Sequence, residues 1–398
     1  MRTPLNANDF AFTHANVNGA LTTVRVSGSC IATLGESPRK ADRVVDLRGD
    51  RLLPGLINAH DHLQLNSLAP PDLRKRYQHV TEWIRDINVL RSTDQEFESR
   101  VATAIEDRLF LGGIKNLLSG VTTVAHHDPL YPPLLTRAFP TRVITDLGWS
   151  HSLYIDGEQA VQAAFRATPA DRPWIIHAAE GLNQAAAAEF DRLDALGCLA
   201  PNTLIVHGIA LDRSRRERLI EAGAGLVWCP ASNLSLFGST AAVADLIAAD
   251  RVALGTDSRL SGSRDLLAEL SVAAGLGVEP AALERLVTTV GAQLLRLSDR
   301  GILRAGASAD LLVVPKGHEL TQLARADVRL VMIEGIPRYA DGDFAESLGL
   351  RATLSDVQMA DVRIDGRPKM LATDLLERLS SNRAREAGIE LNRTWRAA

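Results

Sequence analysis

Short runs of apolar and β-branched residues recur along the chain, separated by longer segments in which apolar residues repeat at helical spacing. The runs span residues 52–57, 121–125, 142–145, 174–178, 204–206, 225–228 and 252–254. Continuous apolar runs of this length are typical of parallel strands buried on both faces. Helices are predicted between several of them, at residues 97–118, 157–167, 185–196, 214–222 and 239–248. This alternation predicts a (β/α) barrel.

The number of strands falls one short of the eight that such a barrel needs. Between residues 145 and 174 there is room for only one helix, 157–167, so the fourth strand has little space. Residues 149–154 are the place where a short or distorted strand would fit. The sequence leaves open whether they form it.

The two ends of the chain have a different pattern from the centre. Residues 17–47 alternate in short stretches broken by glycine and proline, and residues 301–314 and 328–339 return to short strands. The fold class predicted is therefore α/β: a distorted (β/α)8 barrel of the TIM type with a small composite β-sandwich domain formed by the N- and C-terminal segments. The predicted division is 1–54 and 301–345 for the sandwich, 55–300 for the barrel, and 346–398 for a partly helical C-terminal extension with a charged helix and tail from 374.

Composition and charge exclude several classes of protein. The formal charge of −4 on 398 residues shows no excess of basic residues with which to bind nucleic acid. No apolar stretch is long enough to cross a bilayer. The three cysteines, Cys30, Cys198 and Cys229, are far apart and form no CxxC pair, so neither a disulfide framework nor a thiolate zinc site is indicated. With no secretory signal in the polar N-terminus, we expect a cytoplasmic protein that acts on a small molecule.

Histidines are concentrated where the predicted strands end. Seven of the ten histidines lie at or just beyond strand ends: His60, His62, His126, His127, His151, His177 and His207. In a (β/α) barrel the active site is built at the C-terminal ends of the strands. These residues are therefore the candidates for the chemistry of the protein.

The pair His60 and His62 has metal-ligand spacing. On an extended strand, side chains at i and i+2 point the same way, so both imidazoles can reach one cation. Taken alone, such a pair is about as often an ordinary solvated pair, since short motifs have high false-positive rates. His177 and Asp257, at two other strand ends, add a third nitrogen and an oxygen. Together the four side chains suit a catalytic zinc site with room for a water molecule.

Residues 53–62 (LPGLINAHDH) resemble the opening signature of the amidohydrolase superfamily. The later motifs that resemble the same family follow in its order: 121–124 (VTTV), 177–180 (HAAE), 206–208 (VHG), 230–234 (PASNL), 254–258 (LGTDS) and 306–310 (GASAD). The resemblance covers roughly residues 17–342.

The spacing of His177 and Glu180 is similar to that of the mononuclear, deaminase-like branch, which includes adenosine, cytosine and guanine deaminases and the triazine hydrolases. No lysine occurs between Lys115 and Lys316, so the carboxylated lysine of the binuclear branches has no counterpart there. This resemblance implies one divalent cation per chain, zinc or alternatively iron. Its ligands would be His60, His62, His177 and Asp257.

Roles for three catalytic residues follow from this resemblance and from the chemistry of hydrolysis. A bound zinc ion lowers the pKa of water toward 7, so hydroxide is available at neutral pH. Asp257 would accept a proton from that water and pass it to the leaving amine. His207 would orient the hydroxide and stabilise charge on its oxygen, and Glu180 would protonate the ring nitrogen of the substrate.

Other residues at the strand ends are candidates for substrate binding, with a structural role as the alternative for each. They are His126, His127, Trp149, His151, Asn233 and Arg259. His126 and His127 are similar to a double histidine found in some oxidised-purine and triazine aminohydrolases. The segment 64–83, loop-like and then helical, is expected to cover the site; within it, Asn66 and Trp83 are further candidates.

The function expected is hydrolytic deamination of a small amino-substituted nitrogen heterocycle. Hydrolysis of a cyclic amide, or of another C–N, C–O or C–halogen bond, is the alternative with the same machinery. An inactive amidohydrolase-like scaffold is an alternative of another class, which the presence of all six ligand and catalytic side chains disfavours. The substrate, the native metal and the oligomeric state are left open, a homodimer among the options.

Overall fold

The computed structural model describes residues 9–73, 76–347 and 359–391. Its strands are β1 (Phe10–Val17), β2 (Ala20–Ser27), β3 (Cys30–Leu34), β4 (Arg43–Asp46), β5 (Arg51–Pro54), β6 (Leu56–Asp61), β7 (Val121–His126), β8 (Arg142–Val143), β9 (Gly148–Ser152), β10 (Trp174–Ala178), β11 (Thr203–His207), β12 (Gly225–Trp228), β13 (Val252–Leu254), β14 (Leu311–Val314), β15 (Leu330–Ile333), β16 (Ile336–Ala340), β17 (Met359–Ile364), β18 (Arg367–Ala372) and β19 (Ile389–Leu391). Its α-helices are α1 (Val80–Thr93), α2 (Gln95–Val101), α3 (Ile105–Leu118), α4 (Leu153–Asp156), α5 (Glu158–Ala167), α6 (Gln184–Ala195), α7 (Arg213–Glu221), α8 (Pro230–Phe237), α9 (Ala244–Ala248), α10 (Leu266–Gly275), α11 (Pro280–Leu286), α12 (Thr289–Leu294), α13 (Gly342–Ser347) and α14 (Thr373–Ser381).

The central strands β6 to β13 run parallel in two sheets. One has the order β6-β7-β8 and the other the order β13-β12-β11-β10-β9. β6 and β13 approach each other through an isolated parallel bridge between Asp61 and Asp257. Within the described residues no backbone pairing joins β8 to β9, so the observed architecture is mixed α/β with two parallel sheets. The carboxyl ends of the strands in both sheets nonetheless lie close together at this bridge.

The uncertain fourth strand is present as β9. It pairs in parallel with β10, with a register irregularity between Ile176 and His177. It ends at Ser152 because the Ser152 hydroxyl accepts a hydrogen bond from the Ile155 N–H at 3.2 Å and starts the short helix α4. Residues 149–154 are thus part strand and part helix.

Strands from both ends of the chain lie in one further sheet. Among the described residues it has eleven strands, in the order β19-β17-β18-β16-β15-β14-β5-β1-β2-β3, with β4 paired to β1. Antiparallel pairing of β5 with β14 connects the N-terminal strands to the C-terminal ones. The core of this sheet is a separate cluster that includes Phe10, Phe12 and Met332.

The apolar run 52–57, interpreted as one strand, is two strands in the structure. β5 belongs to the terminal sheet and β6 to the central one, and the chain changes sheets at Gly55. A Cβ at Gly55 would lie 2.3 Å from the Thr122 side chain, so this crossing has room only for glycine. Periodicity cannot show the break because both strands are buried and apolar.

The C-terminal extension contains more strand than predicted. β17 and β18 form a hairpin whose turn residues, Asp365 and Gly366, have φ of 48° and 78°. An Asp-Gly pair with both φ positive is the preferred two-residue hairpin turn, so the signal was present in the sequence. The predicted helix is found as α14, whereas the part of the predicted charged tail that follows residue 391 lies outside the described residues.

Two predicted helices are shorter or divided. The segment 97–118 is two helices, α2 and α3, and the first begins two residues earlier because the Asp94 side chain accepts from the Phe97 N–H. In 239–248 only α9 is helical, since the Thr240 hydroxyl is held by hydrogen bonds from Trp228 and Asn233. Among the described helices, none has the length and apolar character needed to cross a membrane.

Candidate metal centre

The four predicted metal ligands come from three parallel strands. His60 lies at the end of β6 and His62 one residue beyond it, His177 lies at the end of β10, and Asp257 follows β13. All four side chains are buried. The bridge between Asp61 and Asp257 brings β6 and β13 together. His60 and Asp257, which are 197 positions apart in the chain, therefore meet at one point.

The ligand atoms converge at distances that suit one cation. His177 Nε2 lies 3.3 Å from both His60 Nε2 and His62 Nε2. Asp257 Oδ1 lies 3.6 Å from each of the same two nitrogens of His60 and His62. Ligands on a tetrahedral zinc ion at about 2.1 Å would be about 3.4 Å apart. These four separations are therefore those expected between ligands of a single zinc-sized ion.

His127 also lies close to His60 and His177, but on the other side of the His60 ring. Its Nδ1 is 3.3 Å from His60 Nδ1, whereas His60 Nε2 faces His177 and Asp257. One imidazole cannot direct both nitrogens at the same ion. The geometry therefore places His127 behind the ligand set.

Burial keeps two of the three proposed ligand histidines neutral, whereas a neighbouring carboxylate favours a proton on the third. Burial lowers the pKa of His60 to about 4 and places that of His177 well below its ordinary value, so both rings are neutral and have a free lone pair. For His62, burial opposes the charged form, but the Asp128 carboxylate raises its pKa to about 9. Asp128 Oδ2 lies 2.6 Å from His62 Nδ1, the nitrogen that faces away from the other ligands.

A buried polar network holds the residue between the two histidines of β6. Asp61 Oδ2 accepts hydrogen bonds from Lys115 Nζ at 3.2 Å, Asn116 Nδ2 at 2.8 Å and Asn58 Nδ2 at 3.1 Å. Lys115 is fully buried, and burial lowers its pKa. Because these three hydrogen bonds fix Asp61, the neighbouring residues His60 and His62 are held in one orientation.

Left-handed backbone conformations occur at the residues that follow or end the strands of the site. Ala179, His207 and Asp257 have φ of 54°, 74° and 56°. Such conformations are costly for residues with a Cβ and are concentrated at functional sites. Here they turn the chain at the points where Glu180, His207 and Asp257 must direct their side chains toward a common centre.

Glu180 and His207 form a second pair next to the ligands. His207 Nε2 lies 3.5 Å from Glu180 Oε1, and both side chains are buried. The His207 Nδ1–H donates to Asn233 Oδ1 at 2.8 Å, which leaves Nε2 facing Glu180. Burial, with the nearby Asp257 and Glu189 carboxylates, raises the pKa of Glu180 well above its ordinary value, which favours the protonated carboxyl group.

Asp257 is held by two serines that sequence reasoning missed. Its Oδ2 accepts hydrogen bonds from Ser232 Oγ at 2.6 Å and Ser261 Oγ at 2.7 Å, while Oδ1 faces His60 and His62. Ser232 lies inside the motif 230–234, so its position was marked, but nothing in the sequence marks Ser261. The two serines keep the carboxylate from rotating.

A cavity of about 130 Å³ opens beside the ligand atoms. Besides His62, His177 and Asp257, its walls include Glu180, His207, Gln64, Asp128, His151, Leu65, Leu236, Ser258 and Ser261. One wall is helix α1, through Val80, Trp83 and Ile84. The Val80 N–H donates to the Glu180 carbonyl at 3.1 Å, which joins this helix to the loop after β10. The predicted cover of the site is therefore present in the second half of the segment 64–83.

The other predicted substrate-binding residues take different positions. His151 lines the cavity, and its carbonyl accepts from His177 Nδ1 at 2.8 Å. Four others are not among the residues that line the cavity: His126, His127, Trp149 and Asn233. His126 Nδ1 accepts a hydrogen bond from the Leu63 N–H at 3.4 Å, and the Trp149 ring packs edge-on against His127. Arg259 also lies outside the lining and forms an ion pair with Glu386 at 2.6 Å.

Comparisons with known proteins find similarity to one family. Residues 142–337 match the model of the amidohydrolase family. The chain is 28% identical to the 5-methylthioadenosine/S-adenosylhomocysteine deaminase of Halobacterium salinarum over 377 residues, which cover 78% of this chain and 86% of that protein.

Solved structures share the fold. The zinc-bound adenosine deaminase of Xanthomonas campestris has a TM-score of 0.67 at 22% identity, covering 86% of this chain and 96% of that one. The zinc complex of atrazine chlorohydrolase from Arthrobacter aurescens has a TM-score of 0.68 at 18% identity, covering 82% and 94%. At these identities the similarity concerns the fold.

Proposed function

Because the chain carries an amidohydrolase family domain, we propose that it catalyses the metal-dependent hydrolytic deamination of a small amino-substituted nitrogen heterocycle. The observation that carries the proposal is the convergence of His60, His62, His177 and Asp257 within 3.3 to 3.6 Å. Next to them the buried Glu180, whose pKa is raised by burial, faces the same cavity. The similarity to a deaminase over most of the chain supports the same reaction class.

The proposed cofactor is one divalent cation per chain, zinc or alternatively iron. His60, His62 and His177 would each hold it through Nε2, and Asp257 through Oδ1. A cation held there supplies acidified water, so that a hydroxide nucleophile is available near neutral pH. Zinc accepts such a set of nitrogen and oxygen ligands, and zinc is present in the solved neighbours.

Three side chains of this chain would move or hold the protons. Asp257 takes the proton of the attacking water and delivers it to the leaving amine, while Ser232 and Ser261 hold its Oδ2. Burial lowers the pKa of His207, so the neutral ring offers the Nε2 lone pair to the water and orients it. Glu180 donates its proton to a ring nitrogen of the substrate, which makes the adjacent carbon electrophilic.

Helix α1 would separate the reacting groups from bulk water. Val80, Trp83 and Ile84 form an apolar wall opposite the ligands, and a planar aromatic ring fits between such a wall and a polar centre. Of the predicted substrate-binding residues, His151 is the one that this cavity supports; His126, His127, Trp149, Asn233 and Arg259 are proposed for structural roles around it.

The finer features of the fold are part of the same proposal. We propose that β6 to β13 form a distorted (β/α)8 barrel, because β6 and β13 approach at the Asp61 bridge and both sheets are parallel. The terminal sheet would be the composite β-sandwich domain. A cytoplasmic location is also proposed, since Cys198 and Cys229 are buried free thiols.

Metal analysis combined with an ammonia-release screen tests the function. The purified protein should contain about one zinc or iron per chain. Ammonia should be released from one or more of purines, pyrimidines, pterins, triazines or modified nucleosides, and a chelator should abolish this release until zinc is restored. His177→Ala should lose both the metal and turnover, whereas His318→Ala, at an exposed position, should keep both. Full turnover by metal-free protein would exclude the mechanism.

A further inference from the structure

Each proposed ligand histidine has its second ring nitrogen directed at a different acceptor. His62 Nδ1 lies 2.6 Å from Asp128 Oδ2, and His60 Nδ1 lies 3.3 Å from His127 Nδ1. The third ligand, His177, directs Nδ1 at the backbone carbonyl of His151. Two of the three acceptors are therefore side chains, and they are neighbours in the sequence.

The partner of His127 determines where the proton of His60 lies. His127 Nε2 is 2.8 Å from the Ser150 carbonyl oxygen, which can only accept, so His127 carries its proton on Nε2. A neutral imidazole with its proton on Nε2 has its lone pair on Nδ1, the atom that faces His60. His60 Nδ1–H must then be the donor between the two rings. His60 Nε2 is left without a proton, in the form that coordinates a metal.

Asp128 fixes His62 by charge as well as direction. Its Oδ2 accepts from His62 Nδ1 and also from Gln64 Nε2 at 2.7 Å, so the carboxylate is held from two sides. A carboxylate on the far nitrogen fixes the tautomer of a ligand histidine and makes the coordinating nitrogen more basic.

Both acceptors stand at the end of β7, beside the strand that carries the ligands. β7 pairs in parallel with β6, with Asp61 opposite His126. Immediately after that pair, the chain places His127 against His60 and Asp128 against His62. One short piece of backbone therefore sets the orientation of two ligand rings.

We propose that His127 and Asp128 are positioning residues, which hold His60 and His62 in the tautomer and orientation needed to bind the cation. The inference rests on the proposed metal site. It differs from the expectation that His127 contacts substrate, because the ring is buried behind the ligands and lies outside the cavity lining.

Zinc affinity of the purified protein, measured by competition with a chromophoric chelator, tests the proposal. Asp128→Ala and His127→Leu should each raise the zinc dissociation constant about 10-fold to 100-fold, the usual effect of losing such a partner. Asp128→Asn, which keeps an acceptor without the charge, should fall between wild type and Asp128→Ala. Asp146→Ala and His318→Leu are the matched controls at exposed positions and should bind zinc as wild type does.

A spectroscopic measurement separates positioning from a general loss of stability. In the Co²⁺-substituted protein, Asp128→Asn should shift the visible absorption bands, because the His62 nitrogen becomes a weaker electron-pair donor to the cobalt ion. Asp146→Ala should leave these bands unchanged. If His127→Leu does not fold, as judged by circular dichroism, Asp128→Asn carries the test. Wild-type zinc affinity in Asp128→Ala or in a folded His127→Leu overturns the inference. Absence of zinc binding by wild type would instead reject the proposed function.

Discussion

The guanidinium of Arg259 binds both carboxylate oxygens of Glu386, at 2.6 and 2.8 Å. Arg259 follows Asp257 by two residues, and its backbone N–H donates to Asn66 Oδ1 at 3.1 Å. Glu386 lies in the C-terminal extension and is also bound by the buried Arg325. The extension therefore braces the loop that presents the proposed ligand Asp257.

Removing the acidic partner of this buried pair should destabilise the fold. Glu386→Ala leaves Arg259 without its carboxylate partner and Arg325 with Asp365 alone. Breaking a buried ion pair typically costs about 3–5 kcal/mol. We expect the free energy of unfolding, measured by urea denaturation, to fall by that order. Glu390→Ala, in the same segment but exposed, should change it by less than about 1 kcal/mol. Equal stability of the two variants would contradict the bracing role.

The proton on Glu180 should limit activity on the alkaline side. Burial and two neighbouring carboxylates raise its pKa, and the protonated form is the proposed donor. The ratio kcat/KM should therefore fall as the pH rises through this raised pKa. Glu180→Gln should lower kcat about 100-fold to 10,000-fold and remove that part of the profile.

A matched substitution separates this effect from a general loss of carboxylate charge. Glu217→Gln, on the exposed surface of α7, should leave both the rate and the pH profile unchanged. An unaltered alkaline limb in Glu180→Gln would assign that limb to another group.

That the site residues meet in space could be predicted from the sequence because of a property of parallel strands. Their carboxyl ends meet at one face, so polar residues after apolar runs, such as His60, His177 and Asp257, were expected to meet. The structure brings these side chains together, while their roles stay predictions. The short strand β9 lies where the sequence offered room for a fourth strand but left its presence open.

The partners of the site residues could not be predicted in the same way. Whether His127 faces a substrate or the back of His60 depends on the angle between neighbouring strands, which no local pattern encodes. Glu386 and Arg259 are 127 positions apart and meet because the terminal sheet continues through β17 to β19. Likewise, the change of sheet at Gly55 depends on how close the Thr122 side chain lies to it. This is a contact between two strands that are both apolar.

A buried glutamate near the site should make stability depend on pH. Glu269 Oε1 accepts from the Ala231 N–H at the start of α8, and burial raises its pKa to about 7. The folded protein therefore binds this proton more tightly than the unfolded chain does. The resulting stability is fully present below the unfolded pKa near 4.5 and is lost as the pH rises through about 7.

Glu269→Gln should flatten this dependence. Between pH 5 and 8 the wild type should lose on the order of 3 kcal/mol of unfolding free energy through this group, since one pKa unit corresponds to about 1.4 kcal/mol. The variant should lose less over the same range, and Glu221→Gln, at an exposed position on α7, should behave as wild type. Parallel stability curves for Glu269→Gln and wild type would show that Glu269 does not titrate there.

The apolar wall of α1 should contribute to substrate binding and leave the metal site unaffected. Trp83 lines the cavity, whereas Val89 on the same helix is 59% exposed. Trp83→Ala removes apolar contact with a bound ring, so KM for the best substrate of the ammonia-release screen should rise about tenfold or more while kcat changes little. Zinc affinity should equal that of wild type, because Trp83 is not among the residues that contact the ligand nitrogens.

Val89→Ala should leave KM unchanged. If Trp83→Ala instead lowered kcat at constant KM, helix α1 would act on the chemical step and would not be a binding wall.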